Sequence, residues 1–105
     1  MTAFVHISFN HPWSDEELQN NAREFAVNVK PTVPGLLWKI FTNNPDTRES
    51  CGIYLFDTLE SAQAYLDGER VAGMKQNPDF GNVSARLGTV MEEASIMAGA
   101  PLSPG

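Results

Sequence analysis

The chain has a single cysteine, Cys51, and only two histidines, His6 and His11. One thiol forms no intrachain disulfide. Two imidazoles without further cysteines at ligand spacing make no zinc or other metal motif, so neither a disulfide scaffold nor a metal centre is expected. Cations are also few. Seven Lys and Arg stand against thirteen Asp and Glu, for a net charge of −6, and the seven are scattered. Nucleic-acid binding rests on a clustered basic surface that releases counterions, and that reading is set aside. No apolar run approaches the length of a membrane span. The stretch from Met1 to His6 has neither the basic region nor the apolar run of a secretory signal, so a cytoplasmic location is expected. Gly68 and Gly73 do not open a helix after a strand and make no phosphate loop.

What is present is ordinary for a folded domain. A hydrophobic fraction of 42% against 19% charge opposes global disorder. The length of 105 residues suits one domain, residues 1–105, with about 97–105 as a loose or partner-contacting tail.

Ala3 to Phe9 alternates as a strand, and Asn10-His11-Pro12 breaks it. Ser14-Asp15-Glu16-Glu17 is a capping box opening a helix whose apolar stripe is Leu18, Ala22, Phe25, Ala26 and Val29. Pro31 and Pro34-Gly35 end it. Leu36 to Thr42 and Cys51 to Phe56 are two further strands, joined through the turn cluster Asn43-Asn44-Pro45-Asp46 and expected to pair antiparallel. Thr58 caps a second helix with Leu59, Ala62, Tyr65 and Leu66 on one side. Gly68 interrupts it, and Val71 and Met74 mark a short continuation. Asn82 to Val90 is the last strand. The order β-α-β-β-α-β predicts an α+β, ferredoxin-like domain with a four-stranded antiparallel sheet and helices on one face.

Alternation divides each strand between two faces. The aliphatic set, Val5 and Ile7, Leu36, Trp38 and Ile40, Ile53 and Leu55, Ala85 and Leu87, is expected to meet the helices, with Cys51 in register as a small buried residue. The opposite set is Phe4, His6 and Ser8, Lys39, Phe41 and Asn43, Tyr54 and Phe56, Ser84 and Arg86. Aromatic area mixed with a few polar groups suits a ligand pocket, and a monomer exposing it all would carry a large apolar patch. A second subunit packed face to face would cover it and leave a cavity between sheet and helices. His11, beside Pro12, is expected in a turn near the surface.

Four segments carry a family resemblance: His6 with Phe9-Asn10 and Pro12, Pro34-Gly35-Leu36-Leu37-Trp38-Lys39, Gly52-Ile53-Tyr54-Leu55-Phe56, and Ser61-Ala62-Gln63-Ala64-Tyr65-Leu66. Over nearly its whole length the chain resembles the YdhR-type monooxygenases of the dimeric α-β barrel superfamily. The resemblance implies a ferredoxin-like homodimer and cofactor-independent oxygenation of a phenolic or polycyclic aromatic small molecule. Such chemistry asks for a base, a donor or cation for the oxyanion, and a dry aromatic cavity. His6 is the candidate base, Lys39 or Arg86 the cation, and Tyr54 the donor to a carbonyl. Phe4, Phe41, Phe56 and Trp38 are candidate substrate contacts, Trp38 only if it faces the cavity. Each also has a structural role open to it: Lys39 can snorkel, Tyr54 favours strands, Arg86 can bridge an interface, and Trp38 can pack in the core. The alternatives are a non-oxidative cyclase or isomerase, or a non-catalytic dimer binding a small hydrophobic ligand. A haem-degrading relative, with His6 as axial ligand, is a third.

Overall fold

The structure, a computed structural model, describes residues 2–102. Eight residues of alternating character make the first strand, β1 (Ala3–Asn10). The capping box then operates as expected: Ser14 Oγ accepts from the Glu17 amide at 3.1 Å and its hydroxyl donates to the Glu17 carboxylate. Helix α1 (Asp15–Glu24) follows, and its backbone widens into a π-helical turn at Phe25–Val29 before a 3-10 turn at Lys30–Thr32 takes up Pro31.

Gly35 turns the chain into β2 (Leu36–Asn44) with φ of +78°. A side chain there would strike the Asp57 carboxylate and the Ser61 side chain. Asn44 Oδ1 accepts from the Asp46 and Thr47 amides in the turn to β3 (Glu49–Phe56). Thr58 caps α2 (Leu59–Leu66) by accepting from the Ser61 amide, and Gly68 separates it from α3 (Glu69–Gln76), as its place in the sequence predicts. Strand β4 (Gly81–Thr89) completes the sheet. A short helix, α4 (Glu92–Met97), for which the sequence offers no capping signal, follows it.

The sheet order is β2-β3-β1-β4 with every neighbour antiparallel, so the expected ferredoxin-like α+β architecture is found. The described part of the C-terminal segment lies against the sheet: the Trp38 indole donates to the Pro101 carbonyl at 2.7 Å. Residues 103–105, part of the expected tail, fall outside the described residues. No helix among the described residues is long and apolar enough to cross a membrane.

Cross-strand pairing fixes the faces, because paired residues share a side of the sheet. On the helix side, one row runs Leu36, Phe56, Ala3, Thr89, and the next runs Lys39, Tyr54, Val5, Leu87. On the outer side, one row is Trp38, Leu55, Phe4, Gly88, and the next is Ile40, Ile53, His6, Arg86. The expected faces of β1 and β4 therefore hold, and those of β3 and most of β2 are reversed. Lys39, Phe41, Asn43, Tyr54 and Phe56 face the helices, whereas Trp38, Ile40, Cys51, Ile53 and Leu55 lie outside.

Two physical causes account for the reversal. First, β3 is buried on both faces, with Leu55 1% and Phe56 0% exposed, so its alternation of aliphatic with aromatic residues contains no polar marker of the solvent side. Second, a register shift between Leu36 and Trp38 inserts one residue, which keeps Leu36 in the core while turning Trp38 outward. His11 is also corrected. It is 5% exposed, its Nδ1 accepting from the Trp13 amide and its Nε2 facing Asn43 Oδ1 at 3.1 Å.

Candidate active site

Between the sheet and the helices lies a cavity of about 520 Å³, within the range of small-molecule sites. Its floor is the second row of the helix face and the row beyond it, where Phe41 pairs with Gly52. Gly52 creates the space. A Cβ there would stand 2.8 Å from Lys39 Cε, 2.8 Å from the Tyr54 ring and 3.0 Å from the Tyr54 hydroxyl. A glycine at this position lets a lysine and a tyrosine from neighbouring strands converge over the sheet.

The helices supply the roof. The π-helical turn at the end of α1 buries Phe25, and its ring meets Phe41 and Tyr54 edge to face, with centroids 5.9 and 6.2 Å away. Tyr65 of α2 packs on Tyr54 at 5.2 Å. Arg70 of α3 reaches the other side of the lining, its guanidinium carbon 5.5 Å from the Phe25 centroid. A second aromatic group closes one end, Phe9 on Phe80 at 4.6 Å and Trp13 on Phe80 at 5.1 Å. The turn before β3 holds Trp13 in place, since Arg48 donates to the Trp13 carbonyl at 3.1 Å and accepts from the His11 amide. His11 is fully engaged behind this wall and does not line the cavity.

Lys39 is the centre of the site. Its Nζ lies 3.8 Å from the Phe25 centroid, 4.2 Å from Phe41 and 4.5 Å from Tyr54. Burial, with the charge of Arg70 adding to it, lowers its ammonium from 10.5 to about 7. The three ring faces act in the opposite sense, since they attract the charged form. The amine is therefore poised where it can hold or release a proton near neutrality. Burial pushes the Tyr54 hydroxyl well above its ordinary value; Tyr65 adds to the rise and Arg70 opposes it. Burial likewise raises Tyr65, against the pull of Tyr54 and Arg70. Both hydroxyls stay protonated as donors at neutral pH.

The four residues expected to act together are thus divided. Lys39 and Tyr54 pair directly across β2 and β3 in the cavity, while His6 and Arg86 pair across β1 and β4 on the outer face. Of the expected aromatic contacts, Phe41 lines the cavity. Phe56 is buried in the core, and Phe4 and Trp38 lie outside. The sequence pointed to none of Phe25, Tyr65 or Arg70 as site residues. Phe25 and Tyr65 were visible only as members of helix stripes, which does not distinguish a core contact from a cavity wall. Arg70 had no pattern to mark it. Among the described residues no cluster of His, Cys, Asp and Glu could hold a metal ion.

Several solved structures share this architecture. One bears the description "putative Antibiotic biosynthesis monooxygenase" from Chloroflexus aurantiacus. It superposes with a TM-score of 0.58 at 16% identity, over 87% of this chain and 94% of that one. MupZ from Pseudomonas fluorescens gives 0.60 at 16% identity, over 93% and 79%. The haem degrader MhuD from Mycobacterium tuberculosis, with two haems in its active site, gives 0.58 at 18% identity, over 87% and 97%. At these identities the likeness is one of fold. No curated protein sequence matches the chain. Residues 3–101 match the family described as "Putative mono-oxygenase ydhR", and over that span, nearly the whole of its length, the chain belongs to the ydhR mono-oxygenase family.

Proposed function

We propose that the chain is a cofactor-independent oxygenase that uses O2 to oxidise an ionisable phenol or enol of a planar aromatic small molecule in the cavity between sheet and helices. The observation that carries this is the Lys39 amine, dried among Phe25, Phe41 and Tyr54 and brought to about 7. A base of that strength suits proton transfer at neutral pH. Lys39 takes the acidic proton of the substrate, and its ammonium, with Arg70, then faces the resulting anion. The Tyr54 hydroxyl donates to the substrate carbonyl. The anion passes one electron to O2, and the radical pair joins to a carbon-bound hydroperoxide. Loss of the remaining proton on that carbon cleaves the O–O bond, leaving a new carbonyl and releasing water. A substrate methylene supplies all four electrons, so no outside reductant enters.

His6 and Arg86 are left without a part in this scheme, since both lie on the other face. The same placement weighs against haem in the cavity, because neither imidazole of the chain lines it. The outer face supports a homodimer: Phe4 and Ile40 are 37% and 47% exposed there, an area that a second copy would cover. Cytoplasmic location accords with the single unpaired thiol.

Oxygen uptake is the test. With anthrone offered in buffer free of flavin and metal, one O2 should be taken up per anthrone, yielding anthraquinone and water. Tight binding of anthrone with no uptake would leave a binding protein instead, and ring closure or isomerisation without oxygen would leave a cyclase or isomerase.

A further inference from the structure

The same cavity holds the parts of a second chemistry that needs no oxygen. A lysine amine becomes a nucleophile toward carbonyls when it is desolvated in an apolar pocket and placed next to another cation. Lys39 meets both conditions, lying among three rings with the Arg70 guanidinium also at the Phe25 ring and its charge felt at the amine. The carbonyl partner also has a place. Lys39 and Tyr54 pair across neighbouring strands and both line the cavity of about 520 Å³, the amine 4.5 Å from the Tyr54 ring centroid, so amine and proton donor face the same space. Lys30 and Lys75, the remaining lysines, line no part of it.

We propose that Lys39 captures aromatic aldehydes and ketones in this cavity as a Schiff base, with the Tyr54 hydroxyl protonating the carbonyl oxygen. The amine nitrogen forms a bond to the carbonyl carbon while the C=O π pair moves to oxygen, which takes the Tyr54 proton. The added nitrogen returns a proton to Tyr54. The carbinolamine then loses water: the nitrogen lone pair forms C=N as the C–O bond breaks, and the departing hydroxyl takes up the remaining N–H proton. No oxidant or reductant is consumed.

The titratable groups lining the cavity with Lys39 are Tyr54 from β3, Tyr65 from α2, and Glu69 and Arg70 from α3. The lining residues of α1, among them Gln19 and Asn21, do not titrate. Cys51 also borders the cavity, but by strand parity its side chain points to the outer face. Burial together with Arg70 leaves the Lys39 amine largely unprotonated above about pH 7.

The experiment treats the full chain with benzaldehyde and sodium cyanoborohydride under anaerobic conditions and maps benzylated peptides. At pH 7 Lys39 should be labelled about tenfold or more ahead of Lys30 and Lys75, which lie outside the cavity. The α-amine is read separately. The preference should shrink as the pH is raised toward 10, since the Lys39 amine is already largely unprotonated above about 7 and gains little more. Tyr54→Phe should slow labelling at Lys39 and leave Lys75 unchanged. Equal labelling at pH 7, or a preference for Lys39 that grows with pH, would overturn the proposal; an unchanged rate in Tyr54→Phe would remove Tyr54 as donor. Because oxygen is absent, failure here is distinct from failure of the oxygenase reaction. The wild-type map alone decides the main point if a variant does not fold.

Discussion

The two faces of the sheet use the same four strands and the same backbone hydrogen bonds, yet they give identical kinds of side chain opposite settings. On the helix side, Lys39 pairs with Tyr54 under a roof of rings and loses most of its water. On the outer side, His6 pairs with Arg86, and Arg86 remains in solvent. Cation and aromatic neighbour occur on both faces. Cover decides which cation becomes chemically useful, and cover comes from helices that contact the strands only after folding.

The largest expected effect breaks this comparison at its centre. Lys39→Met should lower oxygenase turnover by about 10²- to 10⁴-fold, the range for loss of a general base. His6→Ala should leave it within about twofold, and oxygen uptake on the same substrate measures both. The reverse result would return the chemistry to the outer face. Next in size is stability. Phe56→Ala removes a fully buried ring from the helix side and should cost about 3–5 kcal/mol in urea unfolding. Phe4→Ala, 37% exposed outside, should cost about 1 kcal/mol or less. If the outer face is a dimer contact, the Phe4 variant should instead show its loss as weaker association by analytical ultracentrifugation.

How much of this was legible beforehand depends on the strand. In β1 and β4, His6, Ser8, Ser84 and Arg86 alternate with Val5, Ile7, Ala85 and Leu87, and polar against aliphatic is a true marker of sides. The element order, both capping residues and the break at Gly68 were equally readable, since each rests on local chemistry. In β3 the alternation sets Ile53 and Leu55 against Tyr54 and Phe56, and both sets are apolar. Between an aliphatic and an aromatic set, neither carries a burial signal that marks the core side. The extra residue near Leu37 has no marker in sequence either. Lys39 and Tyr54 were thus identifiable as a pair, whereas their face was not. The cavity itself was beyond reach, because Phe25, Tyr65 and Arg70 come to it from three separate helical segments.

The glycines sharpen the contrast at smaller scale. Gly52→Ala would place a methyl 2.8 Å from both Lys39 Cε and the Tyr54 ring. The lysine tip can swing away, but Tyr54 is held by Phe56 and Tyr65, with centroids at 6.3 and 5.2 Å. Overpacking of about 1–3 kcal/mol is expected in urea unfolding, with loss of activity as Lys39 leaves its rings. Gly88→Ala is the outer-face control. It lies beside Phe4 with nothing within 4 Å, and should change stability by about 0.5 kcal/mol or less.

The smallest expected effect is a slope. The folded-state pKa of Lys39, about 7, lies below its unfolded value of 10.5, so across that window the unfolded chain binds the extra proton. Stability must therefore rise with pH from about 7 upward. Lys39 keeps some solvent contact, which makes the rise smaller than a fully buried shift would give. Tyr54 and Tyr65 act with the opposite sign. Their folded values are raised, so above the ordinary 10.0 the unfolded chain loses protons that the folded chain keeps, and stability falls. Urea midpoints from pH 6 to 11 should accordingly pass through a maximum near pH 10. Lys39→Met should flatten the rising limb, Tyr54→Phe should soften the fall, and Arg86→Met, a change on the exposed outer face, should leave the shape of the curve intact. A rising limb that survives in Lys39→Met would show that the dry face does not set the titration, and the contrast between the two faces would then be one of packing alone.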